Sequence, residues 1–319
     1  MLQKPKCPVI ALEEHYWDEE LAAHAKGVER NPGITQRLFD MGELRLKEMD
    51  EAGIDIQVIS HGAPSAQKLT GSDAAAIAAR VNDRLAAVVK AKPDRFAAFA
   101  ALPTCDPIAS ANELERTVTK HGFKGAMVHG LTGGLFLDDQ RFWPIFERAE
   151  KLDVPIYLHP SLPHPAVTEA YYKDYVQDFP MVIRAAWGFT VETATQVIRM
   201  VLSGVFGRYP NLKIIVGHLG ETLPFLLWRI DQALSRPGPK QISFRDAFSS
   251  HVYLTTSGNF SNPALLCCVQ ELGIDRIMFA VDWPFVPNPL GTQWVDTIPL
   301  CEEDKIKILS GNAKRLLRM

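Results

Sequence analysis

Glu13, His15, His159, His218 and Asp282 are the residues of this sequence whose types could do chemistry together. Glu13 and His15 are two apart, and on an extended segment such side chains project to the same face. Carboxylate oxygens and imidazole nitrogens that converge on one point suit a divalent ion such as zinc or manganese. Mixed ligands leave room for water or substrate, whereas structural zinc sites are usually closed by four Cys or His. A non-catalytic metal-binding or scaffold protein is therefore disfavoured. Glu14 has the opposite alternation and is expected to be structural.

Residues so far apart in the chain need a scaffold that gathers them. Short apolar segments at 9–12, 54–59, 96–100, 125–128, 154–158, 213–216, 252–255 and 276–281 read as eight strands. Segments with apolar residues at three- and four-residue spacing separate many of them and read as helices. Ser72 to Ala91 is one, with Ser72 or Asp73 as N-cap. Asp139 to Leu152 is another. Val191 to Phe206 is the clearest, with Ala194, Val197, Ile198, Val201, Leu202 and Val205 in one stripe and Thr190 as N-cap. Eight strands alternating with helices predict an α/β fold, the closed (β/α)8 barrel. An open doubly wound sheet is the runner-up, but no Gly-rich phosphate fingerprint follows the first strand. Glu13 and His15 end the first strand, His159 the fifth, His218 with Glu221 the sixth, and Asp282 the eighth. In a barrel these positions crowd one rim, where such enzymes keep their active sites.

The 319 residues then form a single domain, 1–319, with two rim insertions at about 16–45 and 160–185. A net charge of −3 gives no footprint for nucleic acid or an anionic membrane surface. No apolar run is long enough to span a bilayer, and the first residues lack the apolar core of a signal peptide. Five cysteines, an odd number without CxxC spacing, fit a reduced cytoplasmic setting.

Several segments resemble the aromatic-acid decarboxylase branch of the amidohydrolase superfamily. They are Ala11-Leu12-Glu13-Glu14-His15, Tyr157-Leu158-His159-Pro160, Gly217-His218-Leu219-Gly220-Glu221, Trp228-Arg229-Ile230-Asp231, Thr255-Thr256-Ser257-Gly258-Asn259-Phe260 and Asp282-Trp283-Pro284-Phe285. Phe99-Ala100-Ala101-Leu102-Pro103 and Trp143-Pro144-Ile145-Phe146 add to them, so the resemblance covers nearly the whole chain. It implies one divalent ion, Zn2+ or Mn2+, held by Glu13, His15, His159 and Asp282. It implies His218 beside the metal, oriented by Glu221, with Asp282 as proton donor and Arg229 and His218 supporting the substrate's charge. Binuclear relatives bridge two metals with a carboxylated lysine after the fourth strand. Here that strand ends in Val128-His129-Gly130 and Lys124 precedes it, which favours a mononuclear site.

The implied reaction is the reversible, nonoxidative decarboxylation of a hydroxylated aromatic acid. The carboxylate and phenolic oxygen of an ortho-hydroxybenzoate can chelate one metal, while an acid of raised pKa protonates the ring carbon. Asp282, beside Trp283 and Phe285, is that acid. The alternative is a hydrolase or hydratase of a lactone or unsaturated dicarboxylic acid that uses the same ion on water. His129 departs from the small polar residue common in the branch; it either reads a ring substituent or supports the metal from behind. His61 has the same two readings. Trp187, Phe189 and Phe285 are expected around the substrate, the first two with a core role as alternative. His164 faces substrate, a neighbouring subunit or solvent. Relatives of this kind form homodimers or homotetramers, for which Tyr171, Tyr172, Tyr175, Phe179 and Met181 offer an interface.

Overall fold

The computed structural model describes residues 6–24 and 31–319. Its strands are β1 (Ile10–Tyr16), β2 (Ile56–His61), β3 (Phe96–Ala98), β4 (Ala100–Ala101), β5 (Ala126–His129), β6 (Ile156–His159), β7 (Ile214–Val216), β8 (Val252–Thr255) and β9 (Ile277–Met278). They pair in chain order and in parallel, as β1-β2-β3 and as β4 through β9. The strand expected at 96–100 is thus two short ones. Phe99 marks the break: its N–H donates to the Ile59 carbonyl, while that of Ala100 donates to Gly125 on the other side. The remaining gap is bridged by the N–H groups of Leu12 and His15, which donate to the carbonyls of Phe279 (3.2 Å) and Trp283 (2.7 Å). Eight staves therefore close in a (β/α)8 barrel, with helices between strands on its outside.

Alternation along the strands fills the barrel from within. Ile10, Leu12, Val58, Phe99, Met127, Tyr157, Ile215 and Met278 form an inner apolar cluster, capped by Ala313, Leu316 and Leu317 of the helix Asn312–Leu317. The Arg318 carbonyl accepts from Lys124, just ahead of β5, so this helix sits where the strands begin. Burying each such aliphatic side chain contributes about 1.5–3 kcal/mol, which makes the barrel floor rigid beneath the rim. An outer cluster, with Val128, Leu158, Val216 and Leu254 at its centre, joins strands to helices.

Two helical expectations shift. The third predicted helix runs over Gly188–Ser203, beginning ahead of Thr190, which is therefore no N-cap; its hydroxyl is used elsewhere. Leu202, expected in the buried stripe, is exposed, and Thr193, Gln196 and Met200 are buried instead. Asp73 occupies the N-cap position of Ala74–Ala91 without a side-chain cap bond, whereas Asp139 accepts from the Arg141 N–H. The rim insertions carry short helices: Glu19–Ala22 and Pro32–Phe39 in the first, and turns at Pro165–Val167, Thr168–Tyr172 and Pro180–Ile183 in the second. Among the described residues no helix is long and apolar enough to cross a membrane.

Candidate metal centre

β1 contains an irregularity that decides which side chains reach the barrel interior. Ala11 pairs with Gln57 but Glu14 pairs with Ile59, so β1 spends one residue more than β2 over this stretch. Such a bulge re-aims the side chains beyond it. Leu12 faces the inner cluster and Glu13 also points inward, to Tyr157, while Glu14 turns outward. His15 follows Glu13 to the inside.

Glu13, His15, His159 and Asp282 each bring one ligand atom to a common point, all within 4.8 Å of one another. His159 Nδ1 donates to the Pro160 carbonyl at 2.7 Å, and His15 Nδ1 is 3.2 Å from Ser60 Oγ. Each ring is thereby oriented through Nδ1 and presents Nε2 to the centre. His15 Nε2 lies 3.3 Å from Asp282 Oδ1, and His159 Nε2 lies 3.2 Å from Glu13 Oε1. Glu13 Oε1, His15 Nε2 and Asp282 Oδ1 are nevertheless buried without a hydrogen-bond partner. Leaving such atoms unsatisfied costs about 1–3 kcal/mol each, and more for charged groups. One divalent ion would satisfy all of them, so the donor set fits a metal.

The other Glu13 oxygen is already used. Tyr157 donates its hydroxyl to Oε2 and is 2.5 Å from Thr255 Oγ1. A Cβ at position 217 would stand 2.6 Å from that same oxygen, so only glycine fits there. His218, next along the chain, is 3.7 Å from Glu13 Oε1 through Nε2 and 2.7 Å from Glu221 Oε1 through Nδ1. Thr190 donates its hydroxyl to Glu221 Oε2 at 2.7 Å. His218, Leu219, Glu221 and Thr222 all have positive φ, a conformation that costs roughly 1–2 kcal/mol per residue. The turn is pinned by the His218 N–H, which donates to Ser257 Oγ, and by Asn259, which donates to the His218 carbonyl.

Charge in the centre follows from these contacts. Burial and then the Glu13 carboxylate push Asp282 up to about 7. Burial opposes a charge on His218, yet Glu221 and Glu13 carry it up to about 10. Burial pushes His15 down to about 4, keeping its lone pairs available. Burial would raise Glu13, but His218, His159 and His15 hold it well below the carboxylate range.

Behind the centre lies a support. Glu14 accepts from the N–H groups of Val281 (2.9 Å) and Trp283 (3.2 Å), the two neighbours of Asp282, whose own φ is +75°. Buried Arg45 donates to the His15 carbonyl (2.5 Å) and to Gln57 Oε1 (3.0 Å), with its guanidinium 4.0 Å from the centre of the Trp283 ring. Glu48 accepts from the Trp283 indole. β1 and the segment after β9 that carries Asp282 are thus held from outside the barrel.

A family model described as amidohydrolase matches residues 14–319. The chain belongs to the amidohydrolase family. Its relatives place it on the aromatic-acid decarboxylase branch. It is 40% identical over 325 residues to the gamma-resorcylate decarboxylase of Polaromonas sp. (strain JS666 / ATCC BAA-500), covering 97% of this chain and 98% of that protein. It is similar to the crystal structure of a 2,6-dihydroxybenzoate decarboxylase complexed with 2,6-dihydroxybenzoate, at 37% identity and a TM-score of 0.89, over 98% of this chain and 100% of the other. A third similar protein is a dihydroxybenzoic acid decarboxylase from Polaromonas sp. JS666 with bound manganese and 2-nitroresorcinol, at 39% identity and a TM-score of 0.90, over 98% and 97%.

Among the other expected residues of this amidohydrolase, His129 and Phe189 line a cavity of about 810 Å3, with Gln67, Lys68, His164 and Arg184. The His129 ring is 4.6 Å from that of His159, which joins this cavity to the centre. Phe285 stands 5.7 Å from the His15 ring. His61 is buried against Tyr16 and its Nδ1 meets the Gly62 carbonyl. Trp187 is 50% exposed ahead of its helix and is not among the cavity's lining residues. Arg229 is exposed on the helix Leu223–Leu234, and its side chain has no hydrogen-bond or ion-pair partner among the described residues. Sequence reasoning missed Tyr157, Thr190, Gln67 and Arg45. Only Tyr157 carried a signal: it shares the alternation of His159, two residues on.

Proposed function

We propose that this chain is a metal-dependent, nonoxidative decarboxylase of an ortho-hydroxylated aromatic acid of the 2,6-dihydroxybenzoate kind. One observation carries the reading: the four-ligand cradle of Glu13, His15, His159 and Asp282 stands beside the His218–Glu221 pair in a chain 40% identical to a gamma-resorcylate decarboxylase. Those four residues would hold a divalent ion, which would supply Lewis-acid stabilisation to the substrate's oxygens. Manganese, the ion bound in a similar structure, is our assignment over zinc, and elemental analysis of the purified protein tests it.

Asp282 is the proton donor. The N–H groups on either side of it are held by Glu14, which fixes the carboxyl at the centre, where it can pass a proton from solvent to the ring. The proton goes to the ring carbon that bears the carboxylate. The bond to the carboxylate then breaks, its electron pair returns to the ring, carbon dioxide leaves, and Asp282 recovers a proton from water. His218 is assigned to meet the substrate's developing charge, while Glu221, fixed by Thr190, holds the imidazole in place. Phe189 and Phe285 are assigned as ring contacts. Arg229 and Trp187, both exposed in the single chain, are assigned no contact with the ring. Exposed Tyr171, Phe179, Trp187, Phe225 and Trp228 support a homo-oligomer in which a second copy covers them; light scattering on the purified protein tests this, and a monomer would overturn it.

The reaction is tested by incubating manganese-loaded protein with 2,6-dihydroxybenzoate and a hydroxybenzoate panel. We expect loss of the substrate's ultraviolet band, release of carbon dioxide and, in deuterated water, one deuteron at the former carboxyl carbon. No turnover on any of these acids, or transfer of labelled oxygen from water into product, would overturn the assignment.

A further inference from the structure

The four-ligand cradle overlaps a second group. His15, His129 and His159 also bring their ligand nitrogens within 4.8 Å of one another. We infer that, before substrate arrives, a bound ion takes His129 Nε2 as a ligand alongside His15 and His159, so that the resting centre carries three imidazoles. This rests on the reading that the centre holds a divalent ion.

The tautomer of His129 is fixed by its surroundings. Gln67 donates through its amide nitrogen to the Leu102 carbonyl (3.2 Å) and to Thr104 Oγ1 (3.4 Å), which fixes which end of the amide is oxygen. That oxygen accepts from the His129 backbone N–H at 3.2 Å and lies 3.3 Å from His129 Nδ1. An amide oxygen cannot donate, so the ring proton is on Nδ1 and the lone pair is on Nε2. His129 Nε2 is buried without a partner, like Glu13 Oε1, His15 Nε2 and Asp282 Oδ1. An oxygen that fixes Nδ1 while Nε2 faces a metal is the usual support for a ligating histidine. His159 has the same arrangement, with the Pro160 carbonyl as acceptor. His129 and His159 are moreover directly paired across β5 and β6.

The test loads chelator-stripped protein with Cu2+ and counts coordinated imidazoles by pulsed electron paramagnetic resonance. Chelator competition measures Zn2+ and Mn2+ affinity alongside. We expect three imidazoles in the native chain and two in His129→Ala, with Zn2+ binding at least about tenfold weaker in the variant. Two imidazoles in the native chain would overturn the inference, whatever the variant does, so a folding failure of His129→Ala leaves it testable. Turnover of 2,6-dihydroxybenzoate by the native protein is scored separately. Three imidazoles without turnover of any acid in the panel would sink the decarboxylase reading and leave this one standing.

Discussion

Glu13 and Glu14 are neighbours on β1, both fully buried, and the protein surrounds them in opposite ways. Glu14 meets two backbone N–H groups and the Arg45 guanidinium region, with Gln57 and Trp283 packed around it. Glu13 keeps one oxygen on Tyr157 and leaves the other facing three imidazoles and no hydrogen bond. Buried polar groups are almost always satisfied, so the outward region is ordinary structure, whereas the inward one is completed only by something that binds. Burial alone does not separate a functional carboxylate from a structural one. Whether its acceptors are already taken does.

Breaking the inward side at its reacting group should have the largest effect. Asp282→Asn removes the acid and is expected to lower kcat by on the order of 10^3-fold or more, with the fold intact by circular dichroism. Unchanged turnover would remove Asp282 from the chemistry. On the outward side, Arg45→Met leaves the carbonyls of His15 and Asp40 without their donor and should cost roughly 2 kcal/mol of unfolding free energy in urea titrations. A variant as stable as the native chain would show that these bonds do not hold the strand. Tyr157→Phe lies between the two regions, because it removes a donor to Glu13 while keeping its packing. Metal affinity measured by chelator competition should fall about tenfold, with little change in stability.

The smallest effect sharpens the comparison through pH. Asp282 is raised to about 7 in the metal-free protein, and metal binding needs it ionised. Below that value a proton must leave before the ion binds. Apparent affinity should therefore weaken by about tenfold per pH unit as pH falls below 7, and level off above it. Asp282→Asn should remove that slope. An unchanged slope in the variant would assign the proton to another ligand.

Much of the barrel was legible because each strand is a short apolar run and its helix has its own period. The convergence of Glu13, His15, His159 and Asp282 was legible for a related reason: strand ends of a barrel share one rim, so positions far apart in the chain become neighbours once the fold is recognised. What could not be read depends on contacts between distant segments. Phe99 breaks the third strand because its backbone bonds to one neighbour and that of Ala100 to the other. Thr190 reads as a helix cap from its local sequence, yet Glu221 claims its hydroxyl. Arg45 sits in a helix with a polar sequence, and nothing local announces that it reaches the His15 carbonyl. Gln67 fixes His129 across a gap of 62 residues.

The extra residue in β1 makes strand register, rather than side-chain identity, the carrier of the centre's information. Two adjacent glutamates are chemically identical until the backbone chooses which one looks inward. A β1 without the bulge would keep every ligand and every supporting side chain in the sequence. With Ala11 outward and Leu12 inward as now, plain alternation would nevertheless turn Glu13 and His15 outward and Glu14 inward. A comparison of residue types would count such a chain as intact, although the centre would have been dismantled.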